Sequence, residues 1–224
     1  MTLLLGVDTG GTYTDAVLIR DETHVIATAK SLTTRADLAL GIGAVVRDVL
    51  AKAQVSAKDI SLASLSTTLA TNALVEGQGG RVGLIYIGFD ARDLETHGLK
   101  DALKGDPVIV ITGGHDHSGS EVAPLDEAGL RDWLAQDQGV SAFAVAAQFA
   151  TRNPAHEQRA SEMVSDITGR PVSASHHLSS KLNGPKRALT AVLNARLIGL
   201  THKLIGRAED ILQDIGITAP LMVV

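Results

Sequence analysis

Apolar and polar positions alternate or cluster along this chain in a way that marks out most of its elements. The chain opens with "LLLGVDTGGTYTDAVLIR", residues 3–20, in which two apolar runs flank a turn of glycines and threonines. Residues 3–8 and 16–20 read as strands of a hairpin, and "HVIATAKSL" supplies a third strand for an antiparallel start. Leu38, Ile42, Val45, Val46, Val49 and Leu50 then recur at helical spacing. "DISLASLS" reads as a fourth strand, and "TTLATNALVEG" as a short helix capped by Gly77. The uninterrupted apolar runs "RVGLIYIG", "PVIVITGG" and "VSAFAVAAQFA" have the pattern of strands buried on both faces. Between and after them, "LDEAGLRDWLAQ" and "NPAHEQRASEMVSDITG" read as helices, the second with Pro154 near its first turn and Gly169 at its end. "PVSASHHL" reads as a strand, and residues 184–216 as a long helix with a break near Gly199. "APLMVV" reads as a terminal strand. The pattern predicts an α/β protein with a mixed sheet and flanking helices, with a subdomain division near residue 80.

Composition narrows the class. The 224 residues are 45% hydrophobic, with a mean hydropathy of +0.16 but only 3% aromatics. That is enough apolar material for a substantial core, and few rings for stacking bases. A net charge of −5, with no Lys/Arg-rich run, disfavours nucleic acid as a partner. No cysteine is present, which removes disulfides, zinc–thiolate sites and a cysteine nucleophile. The first residues lack the basic start of a secretory signal, and no window approaches a membrane span. A soluble, cytoplasmic protein without membrane partners is the resulting expectation.

The chemistry begins at the first turn. Asp8 and Asp15 bracket Gly10, Gly11, Thr12 and Thr14. Glycines let the backbone approach a phosphate closely, and hydroxyls add donors. Two carboxylates beside a phosphate make sense with a hard cation such as Mg²⁺ between them. The competing reading is a tight turn that needs only Gly and Asp. Four further polar residues, Thr67, Thr68, Thr71 and Asn72, lie where a strand passes into a helix and could cap it or hold a ligand. His115, Asp116, His117 and Glu121 form a glycine-flanked polar loop that could, if extended, present metal ligands. Adjacent His176 and His177 are expected on opposite faces of a strand end. Lys186, Arg187 and Asn194 form either a solvated helix face or a clamp for a substrate carboxylate. "GIGAVV" lacks the third glycine of a dinucleotide fingerprint and lies within a helical pattern, and neither a P-loop nor a G-x-S-x-G elbow occurs.

"VDTGGTYTD" resembles the first phosphate motif of the actin and sugar-kinase superfamily, and most of all that of the hydantoinase/oxoprolinase family. Three more stretches carry the resemblance in the same order: "STTLATNALVEGQGGRVGLI", "RNPAHEQRA" and "VSASHHLSSKLNGPKRALTAVLNA". The sequence departs from the family pattern at Leu65 and Ser66, where a His-Gly pair is usual, and at "LNGPKRALT". The resemblance implies a ribonuclease-H-like, actin-type ATPase fold that uses ATP and Mg²⁺. It implies that Asp8 contacts the metal, and that Asp15 contacts the metal or orients the loop. The implied reaction is ATP-dependent opening of a hydantoin- or 5-oxoproline-like cyclic amide as small-molecule substrate, with Thr67, Thr68, Thr71, Asn72 and Arg187 facing it. It further implies that the chain is an N-terminal part completed by a C-terminal actin-like domain, and by a second hydantoinase-type subunit in some relatives. Two rivals are a small-molecule kinase of the same superfamily and a non-catalytic, nucleotide-dependent activator.

Overall fold

In the computed structural model of the protein, residues 2–34, 37–68, 73 and 79–224 are described. They form two compact units, one of residues 1–78 with 201–224 and one of residues 79–200.

The first unit is built on a five-stranded sheet. Strands β1 (Leu3–Thr9), β2 (Tyr13–Arg20) and β3 (His24–Leu32) form an antiparallel meander. β4 (Ile60–Thr67) pairs parallel to β1 on its other side, and β9 (Leu221–Val223) pairs parallel to β4 at the edge. The order β3-β2-β1-β4-β9 is the mixed, ribonuclease-H-like sheet expected of the fold class. Period-2 alternation divides β1 cleanly: Leu3, Leu5, Val7 and Thr9 are buried, whereas Asp8 is exposed. Helix α1 (Leu38–Ala53) covers the buried face with Ile42, Val45, Val46 and Val49. Its first turn is capped by Asp37, whose carboxylate accepts from Ala39 N–H and is paired with Arg207 at 2.6 Å. That pairing holds the Asp37 carboxyl below the usual carboxylate range. The two glycines of "GIGAVV" serve packing. A Cβ on Gly43 would lie 2.8 Å from the Ile211 side chain, and one on Gly41 3.2 Å from Thr14 Oγ1.

The second unit carries a parallel four-stranded sheet in the order β6-β5-β7-β8, with β5 (Val82–Ile87), β6 (Val108–Ile111), β7 (Ala142–Ala147) and β8 (Val172–Ala174). β5 and β7 are buried at every residue because both faces are covered. On one face Ile85, Ile87, Phe143 and Val145 meet Leu130 and Leu134 of α3 (Glu127–Leu134) and Met163 and Val164 of α4 (Ala155–Thr168). On the other, Leu84, Tyr86 and Ala144 meet Leu99 and Leu103 of α2 (Leu99–Leu103) and Ala188, Ala191, Val192 and Ala195 of α6 (Gly184–Ile215).

Three sequence expectations change. β2 begins at Tyr13 rather than residue 16, because the β-favouring Tyr and Thr extend the ladder to Thr9↔Thr14. The long helix α6 runs unbroken through Gly199. The expected strand at residues 171–178 stops at Ala174 and turns into the one-turn helix α5 (Ser175–Leu178). A carboxylate from α4 takes the His176 N–H, at 2.9 Å, in place of a neighbouring strand. The helix expected at 67–77, with Gly77 as its cap, lies outside the described residues apart from Thr67, Thr68 and Ala73. No described helix is long and apolar enough to cross a membrane.

A buried ion pair pins the entry of the second sheet. Arg196 donates to Asp106 Oδ2 at 2.7 Å and to the carbonyls of Ala102 and Leu103, while Asp106 also accepts from Val82 N–H at 2.9 Å. Both side chains are under 8% exposed. Removing one partner of such a pair leaves an uncompensated buried charge. Arg196→Met is therefore expected to lower unfolding stability by about 3–5 kcal/mol, as read from urea denaturation.

Candidate functional site

The hairpin residues converge as an exposed ensemble at the carboxyl ends of β1 and β4. Asp8 and Asp15 are direct cross-strand partners, and Ser66 stands beside Asp8 in the parallel ladder. Their side chains project from the solvent-facing side of the sheet into a groove of about 600 Å³, which Gly6, Lys30 and Ser64 also line. Carboxylates opposite one another across a ladder repel. Lys30, the partner of Asp15 on β3, relieves this with an Nζ–Oδ1 contact of 3.0 Å. The compensation falls on Asp15 and leaves Asp8 the more available of the two for a cation.

The turn itself is closed from within. Gly10 N–H donates to Tyr13 O at 3.0 Å. Thr33, which follows β3, anchors the loop twice: its hydroxyl donates to Gly10 O at 2.9 Å and its N–H to Thr12 O at 2.9 Å. Gly11 and Thr12 are exposed at the tip. Thr14 corrects the expectation for a phosphate-facing hydroxyl. It lies on the opposite face from Asp15, is fully buried, and its Oγ1 is 3.0 Å from that of Thr33. One residue of strand phase accounts for the difference. On β4, Thr67 donates to Thr9 O at 3.2 Å and Thr68 N–H reaches the same carbonyl at 3.4 Å, so both stand next to the hairpin. Thr71 and Asn72 lie outside the described residues. Leu65, at the position of the usual family histidine, is a core residue.

Arg187 belongs to the second unit and corrects both expectations for it. It is 1% exposed, so it is not part of a solvated face. Its guanidinium donates to Ser175 Oγ and to the carbonyls of Ala147, Lys181 and Leu182. Those bonds tie the start of α6 to the ends of β7 and β8, and they occupy the fork that a substrate carboxylate would need. Lys186 is exposed, and Asn194 donates to Ser173 Oγ at 2.7 Å.

The histidine loop is organised around a residue that sequence reasoning passed over. His156, on the first turn of α4, accepts from Gly114 N–H through Nδ1 at 2.8 Å, and its Nε2 lies 2.9 Å from Glu121. His115 is buried with its ring centroid 4.5 Å from that of His156, whereas His117 is exposed. Asp116 spends its carboxylate on Ser118 and Ser120. Among the described residues, no group of three His, Asp or Glu side chains is arranged to hold a metal. His176 and His177 do not split to opposite faces. On the helical turn their rings lie 4.0 Å apart. The polar pair His156-Glu157, buried at a helix start, was the available sequence signal for this region.

The family model described as the hydantoinase/oxoprolinase N-terminal region matches residues 4–168. The gamma subunit of acetophenone carboxylase from Aromatoleum aromaticum is 32% identical over 92% of this chain and 32% of its own length. The alpha subunit of caprolactamase from Pseudomonas jessenii is 30% identical over 96% of this chain and 34% of its own. A 5-oxoprolinase of Arabidopsis thaliana is 26% identical over 85% of this chain and 18% of its own. The crystal structure of the ATP-dependent caprolactamase from Pseudomonas jessenii superposes with a TM-score of 0.78 at 30% identity, covering 98% of this chain and 35% of that one. Nucleotide-free acetone carboxylase shares the fold, with a TM-score of 0.76 at 22% identity over 99% of this chain and 36% of that one. The chain thus spans about a third of the length of the first relatives it matches.

Two outcomes test this geometry. Asp8 is exposed and contributes no core contact, so Asp8→Ala is expected to leave the urea midpoint unchanged while weakening Mg²⁺-ATP binding at least tenfold, as read by calorimetry. An unchanged affinity removes the hairpin from nucleotide binding. Separately, burial first and then neighbouring His156 hold His115 below its ordinary value of 6.5, against smaller opposing effects of Glu121 and Asp116. The unfolded chain then binds a proton where the folded chain does not. His115 therefore supports full stability above pH 6.5 and loses its contribution as pH falls below it. The urea midpoint should drop on acidification from about pH 7 to pH 5, with a shallower drop in His115→Gln.

Proposed function

This chain belongs to the hydantoinase/oxoprolinase family through its N-terminal region, and from that premise we propose that it forms the N-terminal part of an ATP-dependent enzyme that activates the carbonyl of a cyclic amide. The observation that carries the reading is the Asp8–Asp15 pair, set face to face at the root of a Gly/Thr turn and opening into a groove. Among the described residues that line the groove, the carboxylates of Asp8 and Asp15 and the hydroxyls of Ser64 and Ser66 are hard oxygen donors, which suit Mg²⁺ rather than a softer metal. Asp8 would hold the ion together with its waters. Gly10, Gly11 and Thr12 would present the close backbone that a phosphate needs. Mg²⁺, when bound, would neutralise charge on the phosphoryl group in transfer. Lys30 and Asp15 hold each other, which leaves Asp8 without that cation and adds a positive charge to the wall of the groove. An amide carbonyl is a poor electrophile, and placing a phosphoryl group on its oxygen makes the carbon open to water. The protein's part is positioning and electrostatics.

The relatives' names support an amide ring through caprolactamase and 5-oxoprolinase. The acetophenone carboxylase relative favours a second reading, in which the activated carbonyl is that of a ketone and the acceptor is bicarbonate. Both readings use the same hairpin. They separate in an assay of ADP release by the protein as its gene encodes it, with any subunit that copurifies. 5-Oxoproline, hydantoin and caprolactam form one series, and acetone and acetophenone with bicarbonate the other. Release stimulated by a ring is the expected result. Stimulation by ketone plus bicarbonate alone moves the assignment to carboxylation, and release indifferent to both series removes carbonyl activation.

A further inference from the structure

In the first unit, one row of polar residues crosses four strands on the open face of the sheet. Ser66 on β4 neighbours Asp8 on β1, Asp8 faces Asp15 on β2, and Asp15 faces Lys30 on β3. All four line the groove. The Lys30 ammonium stands between two partners: Nζ is 3.0 Å from Asp15 Oδ1 and 4.8 Å from the centre of the Tyr13 ring. Tyr13 is also the residue whose carbonyl closes the glycine turn, accepting from Gly10 N–H at 3.0 Å. The ammonium thus touches the acidic pair on one side and lies over the first strand residue after the turn on the other.

The side chains of Lys30 and Asp15 are 57% and 47% exposed, and an ion pair so exposed adds little to folding. Edge strands often carry a lysine that deters pairing with another chain, and β3 is an edge strand. That accounts for a lysine on β3 but not for its place in the row of the two acids. Its place follows from charge. By themselves, two carboxylates and one ammonium carry one net negative charge. A divalent cation between the acids reverses this to one net positive charge, and Lys30 becomes the charge in surplus. A lysine is a point charge on a flexible stem, suited to a phosphate oxygen and able to move to one. The electron-rich face of Tyr13 holds the ammonium near the turn once Asp15 turns to the metal.

We propose that Lys30 is the exchangeable counter-cation of the acidic pair and a phosphate contact of the nucleotide; this rests on the reading of the hairpin as a Mg²⁺-nucleotide site given above. Lys30 serves Asp15 until a divalent cation arrives, and then passes its ammonium to a phosphate oxygen. It stays protonated throughout, so only the partner of the charge changes. Lys30 therefore has opposite effects on two ligands. Toward a bare divalent cation it is a competitor for Asp15. Toward the metal–nucleotide it is a contact.

Lys30→Met removes the charge and keeps much of the stem at an exposed position, so its urea midpoint is expected to match the wild type. The protein is used as its gene encodes it, with any copurifying subunit. Mn²⁺ alone is titrated through the loss of its free-ion electron-spin resonance, the site read being the one that Asp8→Ala abolishes. Mg²⁺ with a non-hydrolysable ATP analogue is titrated by calorimetry. Lys30→Met should bind Mn²⁺ about two- to tenfold more tightly, because a competing charge is gone. It should bind the nucleotide at least about tenfold more weakly, and Lys30→Arg, which keeps the charge, should lose less. Unchanged affinity of Lys30→Met for either ligand, or a shift of both in the same direction, overturns the proposal; the hairpin reading then stands as long as Asp8→Ala weakens the nucleotide. If Asp8→Ala binds the nucleotide as the wild type does, the hairpin reading falls and takes the Lys30 assignment with it.

Discussion

Two carboxylates confront one another across adjacent strands, and the rest of the first unit is arranged so that this can persist. The constraint is the phase of β1. With Leu3, Leu5, Val7 and Thr9 committed to the core, Asp8 has no choice but the open face, and the antiparallel register then brings Asp15 opposite it. A slip of one residue would bury both acids and expose four core side chains. The apolar core of the unit thus fixes the site's charge pattern, and the site borrows its rigidity from packing rather than from bonds of its own. Lys30 on the third strand offsets the repulsion in the same register, from a position that also lies over the Tyr13 ring at 4.8 Å.

The second unit solves a different problem, how to end a parallel sheet whose central strands are apolar on both faces. Its strand ends must satisfy backbone groups away from water. Glu157 accepts from Ala147 N–H while Arg187 donates to Ala147 O, so opposite charges close the two polar groups of a single residue. At the entry of β5, Asp106 accepts from Val82 N–H and Arg196 donates to Gly80 O, so a second pair of opposite charges closes the backbone there. Removing two charges from water is costly, and the geometry repays it only where the remaining donors and acceptors are matched. Around Glu157, two backbone N–H groups, the Ser175 hydroxyl and the His176 ring meet the two carboxylate oxygens, so the buried charge is matched where it stands.

Much of this was legible in the sequence, because the relevant signals are local. The alternation of residues 3–9, the helical spacing from Leu38 to Leu50 and the unbroken runs at 82–87 and 142–147 each reflect burial that a strand or helix imposes on its own residues. The Asp-Thr-Gly-Gly-Thr hairpin was legible for the same reason. What escaped were features set by distant partners. The turn at Ser175 depends on a carboxylate 18 residues earlier in sequence. The burial of Arg187 depends on the carbonyl of Ala147, 40 residues away. Thr14 was placed with the phosphate residues because its type suits them, but strand phase turns it to Thr33, a residue that drew no notice in the sequence.

Thr33 shows how the hairpin is held without being touched from its open side. Its hydroxyl and N–H fix the carbonyls of Gly10 and Thr12, and its Oγ1 also meets Thr14 beneath the loop. The room for that arrangement comes from α1, where Gly41 has no side chain to press on Thr14, Leu32 or Thr33. A glycine inside a helix costs about 1 kcal/mol relative to alanine. Here the expense falls on α1, and the benefit falls on a loop some thirty residues earlier, whose backbone is set from below so that its upper surface stays open. Glycine spacing that looks like a dinucleotide fingerprint in the helix therefore serves the Gly-Thr hairpin at one remove, by letting the helix lie close beneath it.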